Sequence, residues 1–397
     1  MLITKRLNTP VALFAGLCCA VALGFGQTAK LAKDVTAKSV SRDQGVPSFK
    51  YDAAWPKLPL PNKWTFEGIT GLTVDKDDVV WVLDRPGDFD MDPIFHVPEK
   101  TENYASLNPP TAMCCVKPPA VFAFDQEGNL VRSWNPVDAA SQALHLIIAD
   151  QEGNIWIGSS TLRKYTKDGK LLGEIARVPE TNPKPGQYPP DTQMVVGNIE
   201  GGEFDEGGRE LFFSDNYLKG RVLVYDMDTL KFKRGWGAYG KPLSEINTNP
   251  TEKYDPKNPP AKDFMGHLTL SVSRDGFVYA ADRQDDRVQV FTKQGKFVRE
   301  FQVAPETLDR GSTGGLTFSP PPDQRFIYIS DIMNNVVWIV NREDGKVLGH
   351  FGFFGHSGGG FHWLHMVATD SKGNVYTGEV DTGKRVQRFL VQRLTTP

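Results

Sequence analysis

The chain has 397 residues, 40% hydrophobic and 23% charged, with a formal net charge of −3 and a mean hydropathy of −0.36. This is a globular composition, long enough for one large domain or two ordinary ones. The mildly acidic balance argues against nucleic-acid binding, which rests on basic surface, and beyond the N-terminus no run approaches the roughly 18 apolar residues that a membrane span needs.

The N-terminus reads MLITKRLNTPVALFAGLCCAVALGFGQTAK. Lys5 and Arg6 precede an apolar run from Val11 to Phe25, and small residues follow, which is the layout of a secretory signal peptide over 1–26. The expectation is a secreted or periplasmic protein with no membrane span after signal removal; the alternative reading of the same run is a retained membrane anchor. Losing two basic residues takes the net charge from −3 to −5. The mature chain then keeps Cys114 and Cys115 alone of its four cysteines. An adjacent pair is no disulfide framework, and it reads either as a vicinal disulfide or as two thiols in a loop.

From residue 71 onward one pattern recurs: a short apolar strand, a turn at Asp or Gly, and a β-rich strand ending near Asp. The blocks are GLTVDKDDVVWVLDR at 71, HLIIADQEGNIWIGSS at 145, RELFFSDNYLKGRVLVYD at 209 and HLTLSVSRDGFVYAADRQDDRVQVF at 267. GLTFSPPPDQRFIYISDIMNNVVWIV at 315 and HMVATDSKGNVYTGEVDTGKRVQRF at 365 complete the set. A fourth strand often follows, as in GKFVREFQ at 295–302. Six units of four short antiparallel strands predict an all-β, six-bladed β-propeller over 59–397. The segment 27–58 contains SFKYDAAW, which is expected to supply the outer strand that closes the last blade. The Pro-rich stretch 87–118, with the Cys pair, reads as an insertion within the first blade.

Three blades open their innermost strand with histidine: His145 in blade 2, His267 in blade 4 and His365 in blade 6. A single His there packs or caps a strand. Alternate blades of a six-bladed ring, however, are about 120° apart, so three such side chains converge on the axis, as a three-His zinc site requires. The first two strands of a blade run antiparallel, so residues just beyond the second strand share the face where the first begins. That rule selects Arg85, Tyr217 and Arg283. Asp84, Asp215, Asp282 and Asp331 recur at one repeat position and read as turn architecture. Neither G-x-S-x-G nor a Walker-type phosphate loop occurs.

The blocks look like NHL-type repeats, and the three His together with SDNYLKGRVLVY and ADRQDDRVQVF resemble the catalytic core of peptidyl-α-hydroxyglycine α-amidating lyase, over roughly 60–392. The resemblance implies a catalytic Zn2+ on His145, His267 and His365, a Tyr at the substrate hydroxyl (Tyr217), and two Arg lining the site (Arg283 and Arg85). It implies cleavage of an N-acyl hemiaminal into an amide and a glyoxylate-like product, with a peptide or small molecule as substrate. In the family an Asp after the third His holds a structural Ca2+; Met366 stands there in this chain, which counts against calcium. The family's Pro before each His is also replaced, by Leu144, Gly266 and Leu364, and no monooxygenase domain accompanies the propeller. The alternatives are a non-catalytic NHL platform for a protein or glycan partner, or a metal-dependent propeller enzyme with another substrate.

Overall fold

A computed structural model describes residues 45–91, 113–180 and 183–392. Its strands in chain order are β1 (Ser48–Tyr51), β2 (Ile69–Val74), β3 (Val80–Asp84), β4 (Val121–Phe124), β5 (Leu130–Trp134) and β6 (Leu146–Ala149). There follow β7 (Ile155–Gly158), β8 (Leu162–Tyr165), β9 (Leu171–Glu174), β10 (Gly202–Asp205), β11 (Glu210–Asp215) and β12 (Arg221–Asp226). Next come β13 (Phe232–Trp236), β14 (Leu268–Val272), β15 (Phe277–Asp282), β16 (Arg287–Thr292), β17 (Phe297–Gln302) and β18 (Leu316–Phe318). The last are β19 (Phe326–Asp331), β20 (Val336–Asn341), β21 (Val347–Phe351), β22 (Leu364–Thr369), β23 (Val375–Glu379) and β24 (Arg385–Gln392).

These strands form six four-stranded antiparallel sheets, an all-β six-bladed propeller. Five sheets are consecutive meanders; the sixth has the order β1-β24-β23-β22, so the N-terminal strand is its outer edge. The expected signal peptide, 1–26, and residues 92–112 of the expected insertion lie outside the described residues. No helix among the described residues is long and apolar enough to cross a membrane.

The local reason for the meanders is an Asp that does two jobs. Asp75, Asp150 and Asp370 each follow or end an innermost strand and accept backbone N–H bonds within the next turn, from Val79, Asn154 and Asn374 respectively. The second carboxylate oxygen of each then accepts from an aromatic six residues on: Trp81 Nε1 (3.0 Å), Trp156 Nε1 (2.9 Å) and Tyr376 Oη (3.0 Å). A buried indole or phenol needs such a partner, so one residue fixes both the turn and the depth of the second strand. The apolar cores lie between blades. Met366, Ala368 and Tyr376 of blade 6 pack with Leu72, Val80 and Phe122 of blade 1, and Leu146 and Trp156 of blade 2 pack with Phe204 and Phe213 of blade 3. A lone blade leaves one face wet, so the ring folds by stacking.

A second device recurs on the face where the innermost strands begin. Asp215, Asp282 and Glu379 end their second strands, and each pairs with the Arg that starts the third: Arg221 (2.7 Å), Arg287 (2.9 Å) and Arg385 (2.6 Å). The same guanidiniums donate to carbonyls of the long connection leading into that blade. Arg221 holds Pro190, Thr192 and Met194, Arg287 holds Ala261 and Asp263, and Arg385 holds Gly355, His356 and Gly360. Asp84, Asp215 and Asp282 also cap the chain just before the innermost strand, at Gly68 N, Gly197 N and Met265 N. These carboxylates are scaffolding, and what they hold in place is the entry to Glu200, His267 and His365.

Along the axis a cavity of about 160 Å³ is lined by the innermost strands, with Glu203 as its only ionisable lining residue among those described. Burial pushes the Glu203 carboxyl up to about 7, with Glu206 adding to it. An acid with a raised folded pKa costs nothing below its unfolded value near 4.5 and destabilises increasingly as pH climbs toward 7. Glu203→Gln is therefore expected to be neutral at pH 4 and stabilising by about 1–3 kcal/mol at pH 8, read from urea unfolding at the two pH values. Equal stabilisation at both would show that ionisation is not the cause.

Candidate active site

Five of the six blades place a side chain at the start of the innermost strand, at the axial mouth, and blade 5 has Gly314 there. His145, Glu200 and His365 all stand five residues before the Asp at the strand's far end, namely Asp150, Asp205 and Asp370, and Thr70 holds the same place before Asp75. His365 and Thr70 occupy bulges: Leu364 pairs with Glu379 and Met366 with Gly378, just as Ile69 pairs with Asp84 and Gly71 with Leu83. A bulge re-aims the extra residue. Blade 4 lacks the bulge, and His267 reaches the mouth from one position earlier, with φ of +52° and Gly266 before it at +120°.

The rings of His145 and His365 lie 4.6 Å apart, centroid to centroid, at 67°. His267 is close enough that its charge disfavours a proton on both. Its Nδ1 lies 3.0 and 3.1 Å from the two oxygens of Glu200. Burial pushes the His145 imidazole down to about 4, with Glu200 opposing and His267, Arg283 and Arg85 reinforcing. Burial, then His145 and Arg283, holds His365 well below the ordinary value. Both rings are thus neutral near pH 7. Glu200 is buried, which alone would raise its pKa, yet His145, the hydrogen bond to His267 and the charge of Arg283 together carry it below the usual carboxylate range. An ionised carboxylate only accepts, so His267 Nδ1 donates.

Arg283 follows Asp282 at the end of β15 and is 5% exposed. Its Nε has no hydrogen-bond partner among the described residues. Burial lowers its pKa, Glu200 opposes, and Arg310 lowers it further. Arg85 holds the matching position in blade 1, but its guanidinium is engaged by Asp88 (2.8 Å) and Asp381 (3.2 Å).

Tyr217 does not hold the matching position in blade 3. Its hydroxyl donates to Tyr188 O (2.8 Å) and accepts from Tyr188 N (3.0 Å), and its ring belongs to the core between blades 2 and 3. Burial raises its pKa, which is the wrong direction for a base. The register explains the displacement. Arg85 and Arg283 stand one residue after the strand-ending Asp, and in blade 3 that residue is Asn216, with Tyr217 one further. Asn216 Oδ1 accepts from Leu268 N at 3.2 Å, beside His267, while its Nδ2 is buried without a partner among the described residues.

Glu200 and Asn216 were both legible in principle. The block beginning at 209 is the second strand of its blade; the innermost strand is Gly202–Asp205, whose Gly-rich start carries little apolar signal. Counting five residues back from Asp205 finds Glu200.

Whether the cluster suits a metal ion rests on its donors. His145 Nδ1 and His365 Nδ1 are buried without partners among the described residues, both rings are neutral, and a carboxylate orients the third. Neutral imidazole with a carboxylate behind it is the usual ligand chemistry of zinc. Among the described residues, however, no three His, Cys, Asp or Glu are drawn together closely enough to form a ligand set as they stand. The donor chemistry fits zinc. Cys114 and Cys115 are joined as a vicinal disulfide in the chain leading into blade 1's third strand.

No family model matches the chain, and no curated protein matches it. Among solved structures, a Bacteroides thetaiotaomicron protein of unknown function superposes with a TM-score of 0.53 at 14% identity, over 86% of this chain and 73% of that one. Virginiamycin B lyase from Staphylococcus aureus gives 0.47 at 14% identity, over 88% and 90%, and a streptogramin B lyase gives 0.47 at 12%, over 87% and 98%. At such identities the likeness concerns the fold alone, so the class stated is that of a β-propeller with a buried imidazole–carboxylate–guanidinium cluster at its axis. A particular activity has to be argued from that cluster.

Proposed function

We propose that the protein is an exported metal-dependent lyase that cleaves an N-acyl α-hydroxy acid hemiaminal to an amide and a glyoxylate-like aldehyde acid, at a Zn2+ site formed by His145, His267 and His365. The observation that carries this reading is the meeting of two neutral imidazoles, a carboxylate-oriented third and a buried guanidinium whose Nε has no partner among the described residues.

A zinc ion there would acidify the substrate hydroxyl. Loss of the hydroxyl proton, formation of the aldehyde carbonyl, breakage of the C–N bond and protonation of the departing nitrogen balance without any further reactant. The proton that leaves the hydroxyl replaces the one the nitrogen gains, by way of solvent. Arg283 binds the substrate carboxylate through its fork and holds it while the adjacent carbon becomes trigonal. Glu200 fixes the ring of His267 in one tautomer. Asn216 Nδ2 offers a donor to the acyl oxygen, where negative charge gathers as the C–N bond lengthens. Arg85 acts through Asp88 and Asp381 as part of the wall. Tyr217, engaged by the main chain of Tyr188, takes no proton.

The test is zinc content of the purified protein followed by glyoxylate release from an N-acyl-α-hydroxyglycine. About one zinc per chain and turnover that Tyr217→Phe retains within a few-fold are expected, with a stability loss of about 1 kcal/mol from the missing hydroxyl bonds. A hundred-fold fall in Tyr217→Phe would restore that residue as a base. Glyoxylate release undiminished after metal removal would favour the second reading, in which the His267–Glu200 pair serves as a metal-free base. Failure to release glyoxylate with zinc bound would leave a metal propeller with another substrate.

A further inference from the structure

Beside the cluster stands a row of rings that the reaction itself does not require. The Arg310 guanidinium lies 4.9 Å from the centroid of Trp363. Trp363 is 6.3 Å from His362, which is 5.4 Å from Phe354 and 4.6 Å from His356. Trp363 precedes His365 by two residues, and its φ of +58° is a conformation that a bulky side chain adopts at a cost. The turn is held by Val380 N donating to Trp363 O (3.1 Å) and His362 N donating to Glu379 Oε2 (2.8 Å). On the other side, the loop carrying Arg310 is packed onto Arg283: a Cβ on Gly311 would come within 1.8 Å of the Arg283 carbonyl oxygen. The rings therefore begin where the two arginines and His365 are.

The outer end of the row is apolar and uncovered, with Phe353 51% and Phe354 68% exposed. The segment is not loosely held, since Arg385 binds the carbonyls of Gly355, His356 and Gly360 on its far side. Two exposed phenylalanines fixed beside a polar cluster are the anatomy of a ligand site, with apolar walls and a few charged anchors. The charges choose the occupant. Arg283 and Arg310 call for an anion at the inner end, and the rings call for a flat apolar group at the outer end.

We propose that this row is the acyl subsite and that it selects an anionic N-acyl substrate whose acyl group ends in an aromatic ring. The inference rests on the lyase reading for the position of the carboxylate, and its own content is the selectivity. Phe354 and His362 would meet the ligand ring edge-to-face, Trp363 would close the inner side, and Arg310, stacked on Trp363, would keep that indole in place.

The experiment uses N-benzoylglycine and N-acetylglycine, which lack the hydroxyl and are not turned over. Their binding to the purified zinc-loaded protein is measured by calorimetry, with quenching of tryptophan fluorescence as a second readout. The benzoyl compound is expected to bind at least ten-fold tighter. Phe354→Ser, a change at an exposed position, should remove most of that advantage, and Trp363→Leu should remove it together with the quenching. Equal binding of the two compounds by the parent would overturn the proposal, as would an advantage that survives both variants. The lyase reading fails separately: a protein that prefers the benzoyl compound through these residues but releases no glyoxylate keeps the subsite and loses the reaction. One that releases glyoxylate from acetyl and benzoyl substrates with the same kcat/KM keeps the reaction and loses the subsite.

Discussion

Replacing Arg287 with methionine is expected to cost about 3–5 kcal/mol, the range for breaking one side of a buried ion pair. The side chain is fully buried. Its Nε and Nη2 donate to Asp282 (3.1 and 2.9 Å), Nη1 to Tyr239 Oη (3.0 Å) and Ala261 O (2.8 Å), and Nη2 also to Asp263 O (2.9 Å). Asp285 lies 3.0 Å away, with its carboxyl already pushed up to about 7 by burial. Methionine fills similar volume but leaves Asp282 and Asp285 without their cation and two carbonyls without their donor. Urea unfolding at pH 7 measures the loss. Because the lost bonds hold the connection into His267, zinc affinity should fall as well; unchanged stability and unchanged zinc content would refute the positioning role.

Four residues earlier the same substitution should act in the opposite direction. Arg283→Met is expected to stabilise the fold by about 1–2 kcal/mol and to lower kcat/KM by about 10³-fold. Arg283 is as buried as a core residue, but its Nε has no partner among the described residues, and its pKa is already lowered by burial. Attraction from Glu200 offsets part of that cost, which is why the estimate is modest. A protein retains a destabilising buried cation where it acts on a ligand. Arg283→Lys keeps the charge without the planar fork and should recover only a small part of kcat/KM. If Arg283→Met destabilises the protein and leaves kcat/KM unchanged, the residue is scaffolding like Arg287.

The contrast between the two arginines shows where the sequence stops being informative. ADRQDDR presents them as equals, each beside acidic neighbours. Strand register separates them: Arg287 opens β16 opposite Asp282, whereas Arg283 lies beyond the end of β15 with no opposing residue. The slip in blade 3 has the same origin. SDNY offers Asn216 and Tyr217 side by side, and an aromatic hydroxyl is the more obvious chemical group. The strand ends at Asp215 and the chain turns at once into a 3-10 turn over Tyr217–Lys219, with Asn216 at φ −78° and ψ 32°, so the two neighbouring side chains leave in different directions.

The sequence by itself determined the fold, because the signals that build it are local. Short apolar strands with a polar turn repeat six times, three of the turns built on an Asp with an aromatic six residues on, and a repeat that buries one face must stack into a ring. It also determined that histidines enter from blades 2, 4 and 6, since repeat number alone sets those positions around the axis. What only the tertiary structure decided is which groups share charge and solvent at the mouth. The Glu200 partnership with His267, the bulge that turns His365 inward, the capture of Arg85 by Asp381, and the hold of Tyr188 on Tyr217 all join residues distant in the chain or differing by a single step of register. Those relations depend on burial and on partners brought from other blades, and no local pattern encodes them.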